Sequence, residues 1–251
     1  MKFKRKKNYW QQDIGKAEYL KAFLQGSFTI IIISYLFYGS VFYAILFSPY
    51  LFWYIKSWEK QKIKQNKVKF RLQFKEAIQS LSAALSVGYS VENAMRETVK
   101  DLRTMYKKED TILKEFGFMI RQVQMNVPVE TTFNDFSNRT GDEDVQTFVT
   151  VFNMAKRSGG DTMEIIRNTV KQMSEKIDVE RDIENILAAK KMEFKIMTLI
   201  PFGMILYLKF SFPEVVDVLY GNAIGVVVMS ICLGIYFVSY KVGKKLVEIE
   251  V

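Results

Sequence analysis

Residues 70–102 read FRLQFKEAIQSLSAALSVGYSVENAMRETVKDL, and their spacing decides the fold class. Phe70, Phe74, Ile78, Leu81 and Leu85 recur at steps of three and four, which lays one apolar stripe along a helix. Gly88 then offers the left-handed conformation that ends a helix. Two residues later Ser90 has the side chain of an N-cap, and Val91, Ala94, Met95, Val99 and Leu102 carry a second stripe. The stretch predicts a helical hairpin closed by a glycine turn.

The same grammar continues toward the C-terminus. A polar stretch, Tyr106 to Thr111, leads to a third stripe of Leu113, Phe116, Ile120 and Val123. Asn126-Val127-Pro128 ends it, and Pro128 is suited to open a fourth helix with Phe133 and Phe136. After Thr140-Gly141, the acidic residues Asp142, Glu143 and Asp144 suit the first turn of a fifth helix, where the macrodipole favours negative charge. Val145, Phe148, Val149, Phe152 and Ala155 form its stripe. Gly159-Gly160 stops it, Asp161 caps a sixth, and Ile166, Val170, Met173 and Ile177 follow. No segment alternates polar and apolar residues for long, so no sheet is expected. A shift of 71 residues places Ala84 on Ala155, Gly88 on Gly159, Ser90 on Asp161 and Arg96 on Arg167. A helix–glycine–cap–helix hairpin is thus written twice, which suits two halves packed into one six-helix bundle over residues 56–195.

Apolar blocks flank this region. Ala22 to Ile55 is 34 residues without a formal charge. As one helix it would extend roughly 51 Å, well beyond a hydrocarbon core of about 30 Å. Residues 1–21 carry seven Lys and Arg against two acidic residues, and residues 56–75 carry eight against Glu59. Basic flanks stay on the cytoplasmic side. Both flanks therefore want the same face, and a hairpin turning near Tyr38-Gly39-Ser40 satisfies them. Hydropathy alone leaves a single slanted helix open. The second block, residues 196–240, holds a span from Ile196 to Phe212, with Lys209 snorkelling to the outer interface, and an uncharged span from Val218 to Tyr240. Residues 241–251 form a basic cytoplasmic tail. The expected protein is all-α and integral to the cell membrane: a cytoplasmic six-helix bundle between two transmembrane pairs, with both termini inside.

Of the net charge of +9, residues 1–21 contribute +5 and residues 56–75 contribute +7, while residues 76–195 carry −3. The excess sits beside the membrane, where it orients the spans and attracts anionic lipid. A nucleic-acid face would place it in the folded domain, so nucleic acid is not an expected partner.

Phe74-Lys75-Glu76-Ala77 through Leu81 to Gly88-Tyr89-Ser90-Val91-Glu92-Asn93-Ala94 resembles the opening of the F-type platform domain of type II secretion and type IV pilus machines. Asn126 to Glu130, with Phe133 through Gly141, is similar to its midpoint, and Phe152 through Gly160 with Ile165-Ile166 to its second hairpin. The resemblance covers roughly Val68 to the end. One such domain, rather than two, looks like the TadB and TadC proteins of Tad (Flp) pilus systems. It implies an inner-membrane platform in contact with a secretion ATPase, pilin or pseudopilin subunits, a second platform protein and membrane lipids, as a homo- or hetero-oligomer.

The residues themselves argue for no enzyme and no cofactor. The chain has no His and one Cys, which removes Ser-His and Cys-His pairs, Cys-cluster zinc sites and internal disulfides. The sequence lacks the G-x-x-x-x-G-K-[ST] phosphate loop, so any ATP hydrolysis belongs to another subunit. Asp142, Glu143 and Asp144 are read as dipole compensation and not as a cation shell, because adjacent helical residues point in different directions. Lys156, Arg157, Glu180 and Asp182 are candidate partner contacts, although cations at a helix end and a solvated charged face are the default roles of such residues. Tyr106 to Thr111 and Pro213 to Asp217 have no evident structural duty and are candidates for variable contacts. Cys232 is read as a small packing residue. The rival functional reading is a membrane-bound signalling or regulatory helical bundle. It would favour long heptads continuing from the spans, whereas these helices are short and cut by glycine.

Overall fold

Local turn chemistry sets the helix boundaries. The computed structural model describes residues 9–11, 14–45, 48–158, 162–214, 219–220 and 222–247. Among these the secondary structure is helical: α1 (Lys16–Tyr38), α2 (Ser48–Ser86), α3 (Val91–Met105), α4 (Thr111–Gln124), α5 (Val129–Thr140), α6 (Glu143–Ser158), α7 (Thr162–Ser211) and α8 (Ala223–Val247). Short 3-10 helices occupy Tyr9–Gln11 and Val41–Ile45.

Helix α2 ends at Gly88, which takes φ of 98°. There the Gly88 N–H bonds Leu85 O at 3.0 Å and the Tyr89 N–H bonds Ala84 O at 3.3 Å. This pair of backward bonds is a Schellman motif, and it requires positive φ at its pivot. Ser90 Oγ accepts the Asn93 N–H at 3.3 Å and caps α3 as expected. Helix α4 closes by the same motif on a residue that is not glycine: Asn126, at φ of 61°. The Asn126 and Val127 N–H groups bond Val123 O and Gln122 O, each at 3.0 Å. Asparagine is one of the few side chains that tolerate this region. Pro128 occupies the N-cap position of α5, one residue before its first helical position. Gly141, at φ of 57°, ends α5. Gly159, Gly160 and Asp161, the expected cap between α6 and α7, lie outside the described residues.

Gly88→Val is expected to lower stability by about 1–2 kcal/mol. A Cβ on Gly88 meets nothing within 4 Å, so the loss is backbone strain alone. Thermal unfolding of the full chain in detergent, followed by Trp10 fluorescence with Trp53 and Trp58 replaced by Phe, measures it. An unchanged midpoint would show that the positive φ is not needed.

The chain divides into two units. The first comprises Met1–Ile14 and Gln61–Val179. Its helices alternate in direction, as their side-chain pairs show. Ser80 Oγ donates to Asp101 Oδ2 at 2.6 Å and Tyr106 OH to Glu76 Oε2 at 2.6 Å, which sets α2 against α3. Gln122 with Asp135 sets α4 against α5, and Asn153 with Asn134 sets α6 against α5. Gln79 donates to Ser174 Oγ at 2.9 Å, setting α7 against α2. The turn of the expected second hairpin lies outside the described residues, and helices α2 to α7 all contribute to this unit. Its core is aromatic: Phe70, Phe74, Phe116, Phe133, Phe136, Phe148 and Phe152 are all essentially inaccessible. Trp10 joins them edge-on to Phe70, with ring centroids 5.0 Å apart. The periodicity of the later helices gave no hint of that contribution.

The second unit comprises Gly15–Lys60 and Glu180–Val251. Helix α1 stops at Gly39, φ of 65°, where the expected turn lies. A Cβ on Gly26 would stand 2.8 Å from Leu51 Cδ1 and 2.9 Å from Tyr54 Cδ1, so this glycine lets α1 and α2 approach closely. Phe37 meets Phe202 of α7, and Phe202 meets Tyr236 of α8, edge-on in both cases. Tyr236 OH donates to Thr198 O at 3.1 Å, and Tyr38 OH lies 2.9 Å from Ser230 Oγ. Cys232 is exposed on α8, not packed as expected.

Four spans were expected; three helices among the described residues are long and apolar enough to cross a membrane. These are α1, α7 from Met163 and α8 from Ile224. The segment 40–55 is not one helix. It comprises the 3-10 helix Val41–Ile45 and the first turns of α2, which starts at Ser48 because Pro49 is tolerated only in a first turn. Residues 55 and 56 both lie inside α2, and residues 195 and 196 both lie inside α7, so neither expected boundary coincides with a helix end.

Candidate functional site

The acidic start of α6 has more to do than offset a dipole. Asp142 precedes the helix; its Oδ1 accepts the Asp144 N–H at 3.1 Å. Its Oδ2 receives Arg71 Nε of α2 at 3.1 Å, and Asp144 Oδ2 lies 3.4 Å from the same nitrogen. Asp144 Oδ1 also receives Lys176 Nζ of α7 at 2.7 Å. Asp142 and Asp144 are both 3% exposed, so their charges are held by these partners and not by water. Residues 142 and 144 do converge, which adjacent positions would not. They converge on a guanidinium and an ammonium, and no group of three potential metal ligands occurs among the described residues. The cluster ties α6 to α2 and α7.

A second network fixes the other half. Buried Glu115 of α4 accepts from Tyr9 OH at 2.6 Å through Oε1 and from Arg139 Nη2 at 2.7 Å through Oε2. Arg139 also lies over the Phe118 ring, 4.6 Å from its centroid. Tyr106 to Asp110 is likewise structural, contrary to the expectation of a free contact loop. The Tyr106 hydroxyl is pushed well above the usual phenol range by burial and by its bond to Glu76. Burial pulls the Asp110 carboxyl upward, but Lys69, the Lys107 N–H and Gln73 outweigh it and hold it low. Sequence reading could not find these pairs, because each joins residues far apart in the chain.

Several outward-facing apolar side chains share one end of the unit, although Met105, at the other end, is also 59% exposed. With helices alternating in direction, the α2–α3 turn, the α4–α5 turn and the C-terminus of α6 share an end of the unit. There Val87 is 79% exposed and Met125 75%, with Tyr89 and Met154 also outside. Apolar side chains gathered at one exposed end are where an interaction surface is to be sought, which single scattered ones are not. Lys156, a predicted contact, lies here and pairs with Glu130 Oε1 at 2.6 Å. The Lys156 ammonium holds the Glu130 carboxyl below its ordinary range. Arg157 is exposed beside it. Glu180 and Asp182 belong to the other unit.

Residues 77–208 match the sequence family described as type II secretion system (T2SS), protein F. The chain belongs to the type II secretion protein F family. The match begins within α2 and runs through α3–α6 into the apolar part of α7. It takes in the exposed end of the helical unit and the Asp142–Asp144 cluster. No curated protein and no solved structure matches the chain. The family is one of inner-membrane platforms in type II secretion and type IV pilus machines.

Proposed function

We propose that this chain is the membrane platform that relays movement from a secretion or pilus ATPase to pilin assembly or export, without catalysis of its own. The observation that carries the reading is the family match over residues 77–208, which spans both the helical unit and apolar helix. The basic flanks, residues 1–21 and 56–75, support a cytoplasmic helical unit, where an ATPase can reach it. The exposed end with Val87, Tyr89 and Met125 receives that partner, and Lys156 and Arg157 at its edge favour an acidic partner surface. The membrane helices meet pilin or pseudopilin subunits and a second platform protein, in the manner of TadB and TadC.

Val87→Asp with Met125→Asp tests the docking end. Both side chains are largely exposed, so stability should stay within about 0.5 kcal/mol of the parent. Co-purification of the full chain with the secretion or pilus ATPase of the same cell is expected to fall at least about tenfold, the effect of losing an apolar hot spot. Pilus assembly or secretion should fall in parallel. Unchanged capture and normal assembly would remove this end as the docking surface. Normal assembly in a deletion strain would end the platform reading itself.

A further inference from the structure

The only charged side chain in the last three turns of α7 is Lys209, in the stretch Leu199–Ser211. Its Nζ stands 3.6 Å from the centroid of the Tyr35 ring and 5.1 Å from that of Tyr220. Among the described residues, those two rings are the aromatic faces that hold its charge. Aromatic faces attract an ammonium without consuming its three donor hydrogens, so the charge is held in place and remains able to bind. Tyr38, Ser40 and Tyr43 line a recess of about 580 Å³ with Lys209.

One turn earlier on α7 the chemistry changes. Leu199, Phe202 and Leu206 face Ile32 and Leu36 of α1 across a cavity of about 610 Å³. Tyr35 lines this cavity and carries Lys209 on its ring, so the apolar groove and the held ammonium share a wall. We infer that this place binds one anionic phospholipid, its phosphate on Lys209 and its acyl chain in the groove.

Charge and length favour a lipid over a partner's transmembrane helix. The groove runs from Leu199 to Leu206, about 10 Å at the helical rise, a third of a hydrocarbon core of about 30 Å. A spanning helix would need a face three times as long. An acyl segment needs only this pocket, and a headgroup phosphate supplies the anion that Lys209 lacks among the described residues. A lysine at the end of an apolar helix reaches the depth where phosphates lie.

The full chain reconstituted in nanodiscs of phosphatidylcholine and phosphatidylglycerol, then released for native mass spectrometry, tests the site. The parent should retain phosphatidylglycerol over phosphatidylcholine, and Lys209 should account for about fivefold of that preference, the factor that one lysine at a lipid surface contributes. Lys209→Arg should keep the preference and Lys209→Gln should lower it about fivefold, leaving what the basic flanks contribute. Leu206→Trp, which fills the groove, should reduce retention of both lipids. Equal retention of the two lipids by the parent, or an unchanged preference in Lys209→Gln, would overturn the inference. So would a photoreactive residue at position 199 that cross-links in cells to a protein and not to lipid.

Discussion

Phe136→Ala is expected to lower the stability of the helical unit by about 4 kcal/mol, near the upper end for a large core truncation. Phe136 is fully buried on α5. Its ring lies 6.3 Å from Phe70, 6.1 Å from Phe74 and 6.0 Å from Phe116, so it is shared by α2, α4 and α5. Removing it leaves a hole walled by three rigid rings that cannot collapse inward, and residual cavity volume adds to the lost transfer energy. In thermal unfolding monitored by Trp10, the midpoint should drop by roughly 12 °C. A drop of less than about 3 °C would mean that the rings repack and that the aromatic core is looser than these distances state.

Arg71→Met should cost about 3 kcal/mol for a different reason. The methionine replaces the packing of the guanidinium stem but strands Asp142, whose carboxylate is only 2% exposed and loses its cation at 3.1 Å. Asp144 Oδ2 also loses the Arg71 nitrogen at 3.4 Å, but Asp144 keeps Lys176 on Oδ1, so the larger loss falls on Asp142. Adding Asp142→Asn should recover much of the loss, since asparagine still accepts the Asp144 N–H and brings no charge. The double variant should therefore be more stable than Arg71→Met alone. If Arg71→Met alone unfolds like the parent, water reaches Asp142 and the cluster is not a buried one.

These two cases mark what the amino-acid order discloses and what it hides. The ends of α2, α3 and α5 are legible because the cause is local: a left-handed Gly88 or Gly141 and a Ser90 hydroxyl act on neighbours within a few residues. The core stripes are legible because burial repeats at the helical period. Asp142 meeting Arg71 is not legible, since 71 residues separate them and neither position breaks a local pattern. Trp10 is hidden for the same reason, lying in a short 3-10 turn with no period to read. The segment 40–55 misleads in the opposite direction. Its hydropathy suits a span, yet Pro49 sets where the helix begins. At the exposed end, Lys156 and Arg157 could be nominated from composition, whereas Val87 and Met125 gain meaning only once antiparallel packing brings their turns together.

The solitary thiol has a practical corollary. Cys232 is the one cysteine in 251 residues, and α8 leaves it uncovered. A thiol-reactive spin label or fluorophore attached to the native polypeptide therefore reports from a single known address, with no second thiol to engineer away.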